Sequence, residues 1–179
     1  MLFNSLEYMI FLPVVLAVYY IIPDKLKPAW LLICSYFFYM CWNAVYALLI
    51  LFSTAATYLC ALLLERARAS AGNKDRRLEK LSLALCLVLN LGILFYFKYF
   101  NFAITSINEV LAGCGFAFSC PTFDIVLPVG ISFYTFQALG YTIDVYRSEI
   151  YAEKSFLRYA LFVSFFPQLV AGPIERSKN

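Results

Sequence analysis

Residues 29–64 form a run of 36 positions without one charged side chain, and no other feature limits the fold of this chain so strongly. As a single helix the run would be about 54 Å long, whereas about 20 apolar residues suffice to cross a hydrocarbon core. One crossing cannot absorb it, so the run has to break. Cys41, Trp42 and Asn43 near its middle supply a polar residue and an aromatic suited to a membrane interface. The expected result is a short helix followed by a full one that returns the chain inward. Composition agrees, since 63% of the residues are hydrophobic, 19% aromatic and 14% charged, and mean hydropathy is +0.77. That mixture lies outside the soluble globular range. The expected class is an all-α, polytopic integral membrane protein with about five or six membrane-embedded helices. Residues 1–179 read as one membrane domain with no separate soluble domain, and the lipid bilayer is its first partner.

The net charge of +3 matters less than its placement. Arg66, Arg68, Lys74, Arg76, Arg77 and Lys80 cluster in one loop, whereas residues 101–123 contain no Lys or Arg. By the positive-inside rule, loop 65–80 is expected in the cytoplasm and the second loop outside, with the N-terminus extracytoplasmic. Glu65, Asp75 and Glu79 interrupt the basic run and no aromatic residue is interleaved for base stacking, so no nucleic acid is expected as a partner.

Residues 3–22 form the first apolar stretch. No basic residue precedes it and no small-residue cleavage site follows, so it is expected to stay as a helix rather than act as a signal peptide. Residues 81–100 form a further span. Lys98 near its outer end is expected to snorkel to the headgroups beside Tyr96 and Tyr99, because a charge at the bilayer centre costs about 3 kcal/mol or more. The segment after it, rich in Gly and Phe, is expected to lie along the outer surface. Of six cysteines, Cys34, Cys41, Cys60 and Cys86 sit in or beside apolar helices as small hydrophobes. Cys114 and Cys120, both in the predicted outer loop, are the pair for which a disulfide is open. With no histidine and no Cys-x-x-Cys pair, no metal site is expected.

The stretch LPVGISFYTFQALGYTIDVYR, residues 127–147, carries too many polar groups for a helix bathed in lipid. At helical periodicity Gly130, Tyr134, Gln137, Tyr141 and Asp144 fall within a stripe about 80° wide, leaving Phe133, Phe136, Leu139 and Ile143 largely elsewhere. Such a stripe has to face protein or water. Two readings stand side by side. In one it packs helices, with Gly130 and Gly140 allowing close approach and Gln137 bonding across an interface; in the other it lines a hydrated cavity. Asp144 has a local explanation in an i, i+3 pair with Arg147.

The last apolar segment, residues 156–171, is short and contains Pro167, which is expected to bend or break the helix and to free a carbonyl near Val163. Ser164 and Gln168, one turn apart, are placed to satisfy freed groups or to line the same cavity. Gly172 and Pro173 end the segment, and Glu175 and Arg176 follow in a polar terminus.

Two of these stretches, LPVGISFYTFQALGYTIDVYR and YALFVSFFPQLVAGPIER, resemble the membrane-bound O-acyltransferase family (MBOAT), nearest its bacterial alginate O-acetyltransferase branch. FLPVVLAVYYIIP, SYFFYMCWN and LLILFSTAATYL add weaker support. The resemblance implies a partial MBOAT fold, a multipass scaffold around a funnel that passes an acyl group from a cytoplasmic thioester. Acetyl-CoA or an acyl carrier would be the donor, with no covalently bound cofactor. The implied acceptor is an extracytoplasmic polysaccharide such as alginate or peptidoglycan, reached often through a partner acetyltransferase. The family uses an intramembrane histidine for its chemistry, and this chain contains none. The chain is therefore expected to correspond to the N-terminal part of such an enzyme, to be catalytically incomplete alone, and to contribute no catalytic residue. Tyr134, Gln137, Tyr141, Asp144, Ser164 and Gln168 are the candidate cavity-lining residues; Arg147, Glu175 and Arg176 are candidates for interface or structural roles. Two further readings remain beside this one, a non-enzymatic assembly module and a transporter component. The two long motifs and the lack of an internal repeat count against the transporter.

Overall fold

A computed structural model describes residues 5–41, 43–70, 76–113, 128 and 130–171. Among these residues there are seven helices and no strand. Trp42, Cys114, Cys120, Glu175 and Arg176 lie outside the described residues, and with them the disulfide and the polar terminus.

Helix α1, Leu6–Ile21, starts where the Ser5 hydroxyl accepts the Tyr8 N–H at 3.3 Å, and it carries Pro13 inside it. The turn after it holds an exposed Asp24, whose carboxyl stays below the usual carboxylate range because the Lys27 ammonium donates to it. Helix α2, Lys27–Met40, opens with Pro28 in its first turn, where no backbone donor is needed. The Trp30 indole N–H then ties it back to α1 at the Val15 carbonyl, 3.1 Å away.

The expected break in the long apolar run falls between Met40 and Ala44, the end of one helix and the start of the next. Its physical cause is the Asn43 side chain, whose Oδ1 accepts the Val45 N–H at 2.9 Å and so caps the first turn of α3, Ala44–Ser70. Cys41 is exposed at this corner, while Cys34, Cys60 and Cys86 are buried among helices.

Helix α4 corrects one expectation. It runs without interruption over Arg76–Gly113, 38 residues and about 57 Å, instead of ending at Phe100. No proline and no glycine occurs between Asn101 and Ala112, so nothing in that stretch stops an established helix. Lys98 stands within α4 rather than at its end: its ammonium sits 5.4 Å from the Tyr99 ring centroid and 3.5 Å from the Ser132 hydroxyl.

Helix α5, Ile131–Tyr146, is entered through Gly130 at φ 77°, a left-handed conformation that favours glycine. Gly130 thus sets the direction in which the chain enters α5. Gly140 corrects the packing expectation, because a Cβ built there would meet nothing within 4 Å. The exit from α5 is a Schellman arrangement: Ser148 at φ 62° donates to the Val145 carbonyl and Glu149 to the Asp144 carbonyl, both at 3.0 Å.

The final apolar segment divides into α6, Phe156–Ser164, and α7, Phe166–Ala171. The break sits at Phe165, with ψ 112°, two residues before Pro167. Pro167 lies in the first turn of α7, where its missing N–H leaves no gap in the helix.

Helix α3 is the centre of the assembly, packing against α2, α4, α5 and α6, while α2 also packs on α1, α6 and α7. Among the described residues, two helices are long and apolar enough to cross a membrane, over Ala44–Arg68 and Arg77–Gly113, and α1 is a shorter apolar helix. Together with the composition, these define an all-α membrane protein.

Candidate functional site

The polar groups of the two long motifs meet at the α6–α7 break. In an unbroken helix the Phe166 N–H would donate to the Phe162 carbonyl. Here it donates instead to the Ser35 hydroxyl of α2 at 3.3 Å, and the carbonyl it leaves behind is taken by the Gln137 amide of α5 at 2.8 Å. The Gln137 amide also lies 3.4 Å from the Gln168 Oε1. Ser35 completes the exchange by donating to the Leu31 carbonyl at 2.8 Å. Three elements distant in sequence thereby satisfy one another in an interior where an unpaired backbone group would cost about 1–3 kcal/mol. Gln137 takes the Phe162 carbonyl, one residue before the expected position at Val163, whose own i+4 residue, Pro167, offers no N–H.

The remaining candidates divide among different environments. Tyr141 is buried and its hydroxyl accepts the Glu153 N–H at 2.7 Å, while its ring stands 4.6 Å from that of Tyr159. Ser164 is buried and donates to the Ala160 carbonyl of its own helix at 2.6 Å. Tyr134 is 0% exposed, and its hydroxyl has no hydrogen-bond partner among the described residues. Asp144 is half-buried near the end of α5. Arg147 caps that helix and reaches Glu149 at 3.9 Å, an exposed ion pair of small energetic weight. The structure thus brings Gln137 and Gln168 together and leaves Asp144 and Arg147 at the end of α5.

Sequence reasoning missed a second polar cluster between α3, α4, α5 and α6. The Ser53 hydroxyl donates to the Asn90 Oδ1, and the Asn90 amide donates to the Cys86 carbonyl at 3.0 Å. The Cys86 thiol lies 3.8 Å from the Thr142 hydroxyl. One turn further along the same face of α3, the Tyr159 hydroxyl donates to Thr57 at 2.7 Å, and Thr57 in turn donates to the Ser53 carbonyl at 2.8 Å. All of these side chains are buried. A backbone carbonyl interrupts the chain of hydroxyls, so the cluster holds helices together and cannot relay a proton. Its signal was present in sequence: Ser53 and Thr57 lie one turn apart within the uncharged run 29–64, and Asn90 is the one carboxamide in residues 81–100.

At the far end of α3, Arg68 donates to the Tyr146 carbonyl at the C-terminus of α5 and pairs with Glu79 of α4 at 3.9 Å. A cation at that helix end also complements the dipole. One basic residue, expected in the loop at 65–80 but carried on α3, therefore joins three helices.

A helical membrane protein with interior amide and hydroxyl clusters is the class these features define. Comparison with known proteins sharpens it. The chain is 39% identical over 180 residues to the probable alginate O-acetylase AlgI of Pseudomonas aeruginosa, covering 100% of this chain and 34% of that protein. It is 36% identical over 180 residues to the probable alginate O-acetylase AlgI of Azotobacter vinelandii, covering 35% of it. To the peptidoglycan O-acetyltransferase of Helicobacter pylori it is 32% identical over 204 residues, 97% of this chain and 37% of that protein. The resemblance carried by the two motifs is therefore borne out along the whole chain, which spans about a third of the length of the curated relatives it matches. No protein-family model and no solved structure matches the chain.

Proposed function

We propose that this chain is the N-terminal scaffold of a membrane-bound O-acetyltransferase of the MBOAT type. The complete enzyme takes an acetyl group from a cytoplasmic thioester, acetyl-CoA or an acyl carrier, and passes it to an extracytoplasmic polysaccharide, alginate or another cell-surface glycan. A partner acetyltransferase on the outer side completes the delivery. What supports this reading is the full-length likeness to O-acetylases, together with the meeting of the two motifs through Gln137, the Phe162 carbonyl and Gln168.

The residues of this chain bind helices together and aim a polar face inward. They do not carry the chemistry. Acyl transfer needs a nucleophile or general base beside the carbonyl and donors for the developing oxyanion. The chain has no histidine, and the carboxamides of Gln137 and Gln168 are neither bases nor nucleophiles at neutral pH. The membrane is the bacterial inner membrane, with about five or six embedded segments, loop 65–80 cytoplasmic and the N-terminus outside. The absence of histidine also favours one second reading, a non-enzymatic assembly module.

Deleting the gene in its host and measuring ester-linked acetate on the exopolysaccharide and peptidoglycan tests the proposal. Acetate falls on one glycan and returns with the intact gene, whereas residues 1–179 alone restore none. Unchanged acetate on every surface glycan sinks the enzymatic reading in favour of the module. Acetyl transfer by purified residues 1–179 overturns the claim that they are catalytically incomplete.

A further inference from the structure

A cleft of about 550 Å³ lined by Tyr58, Leu62, Glu65, Arg66 and Lys154 opens beside the inner half of α3, away from the α6–α7 break. Its rim is built: the Tyr58 hydroxyl donates to the Lys154 carbonyl at 2.7 Å, and the Tyr58 ring meets Phe156 edge-on with centroids 5.3 Å apart. The side chains of Glu65, Arg66 and Lys154 have no hydrogen-bond or ion-pair partner among the described residues.

Depth identifies what such a cleft meets. From Ala44 at the start of α3 to Arg66 is about 33 Å of helix, so the cleft lies where a hydrocarbon core of about 30 Å gives way to headgroups. Leu59 and Leu63, both exposed, precede Arg66 on one stripe of α3, two turns and one turn away. An acyl chain lying along that stripe delivers its headgroup to the cleft.

Charge selects the headgroup. Two cations and one carboxylate match a zwitterion whose phosphodiester sits between Arg66 and Lys154 and whose ammonium donates to Glu65. We propose that this cleft is a binding site for an aminophospholipid of the phosphatidylethanolamine type.

The test uses the protein as its gene encodes it, in detergent, with native mass spectrometry reading the lipid retained from equal mixtures. Phosphatidylethanolamine is expected to be retained about tenfold over phosphatidylcholine, whose quaternary nitrogen has no proton to donate, and over phosphatidylglycerol, which has no cation. Arg66→Gln combined with Lys154→Gln lowers that retention about tenfold. Glu65→Gln abolishes the preference over phosphatidylglycerol, and Arg158→Gln, exposed and outside the cleft, preserves the wild-type pattern. Equal retention of the three lipids by the unaltered protein overturns the proposal without reference to any variant. So does loss of retention in Arg158→Gln equal to that in the double variant. Displacement of the lipid by submillimolar coenzyme A would assign the cleft to a soluble phosphate ester instead.

Discussion

Helices α3 and α4 are nearly equal in apolarity, with mean hydropathies of 2.2 and 2.0 over their membrane-compatible stretches, yet 44% of the α3 window is buried inside the protein and only 17% of the α4 window. One is the hub of the bundle and the other presents most of its surface outward. The difference shows that hydropathy selects what enters the membrane and is silent on what it touches there, because lipid tails are as apolar as leucine. The small polar residues tell the two apart. Ser53, Thr54 and Thr57 are buried on α3, whereas in the corresponding part of α4 Asn90 is the polar side chain turned inward.

The strongest way to break the comparison is to truncate one leucine on each helix. Leu64 of α3 is 0% exposed and Leu85 of α4 is 55% exposed. Leu64→Ala is expected to destabilise the protein by about 3 kcal/mol through the cavity it leaves, while Leu85→Ala, replaced by lipid or detergent, stays within about 0.5 kcal/mol of wild type. Unfolding in mixed micelles of increasing denaturing-detergent fraction measures both. Equal losses would mean that α4 is as enclosed as α3.

Gln137→Leu comes next, at about 2 kcal/mol, because it orphans the partly buried Phe162 carbonyl at the α6–α7 break. Amide hydrogen exchange should accelerate in α6 and α7 more than in α4; exchange rising evenly over the bundle would contradict that local role. Asn90→Ala tests a buried polar tie from α4 to α3 and is expected to cost about 1 kcal/mol, the scale of hydrogen bonds between membrane helices. Pairing it with Ser53→Ala in a double-mutant cycle isolates the bond between them, and strict additivity would show that it contributes nothing. Tyr159→Phe has the smallest expected effect, about 0.6 kcal/mol, since Thr57 keeps its carbonyl partners. A loss above that of Asn90→Ala would move the weight of the polar interior from α4 to α6.

How much of this was legible depended on whether the cause was local. The break between Met40 and Ala44 followed from helix length against bilayer thickness, and Asn43 is the kind of residue that caps what comes after. The stripe on α5 followed from period, and Tyr134, Gln137 and Tyr141 are indeed buried there while Phe133 and Phe136 are exposed. Leu139 departs from that pattern: it is buried against Cys60 and Cys86 on another side of α5, which a one-stripe reading could not foresee. The continuation of α4 past Phe100 was misread because an aromatic run and a lysine do not stop a helix, and residues 101–112 hold no proline or glycine that would.

Sequence alone determined the membrane class, the interruption of the apolar run 29–64, the polar face of α5 and the likeness to O-acetylases. All of these rest on composition, period or residue order. The tertiary structure decided which carbonyl Gln137 would satisfy, that the final helix would break at Phe165, and that Asn90 would meet Ser53. The physical reason is that backbone and side-chain donors in an apolar interior have to find partners wherever the fold brings them. Phe166 bonds a serine 131 positions away and Tyr159 a threonine 102 positions away. Such pairings have no signature in a local window, and they locate the break more closely than Pro167 does.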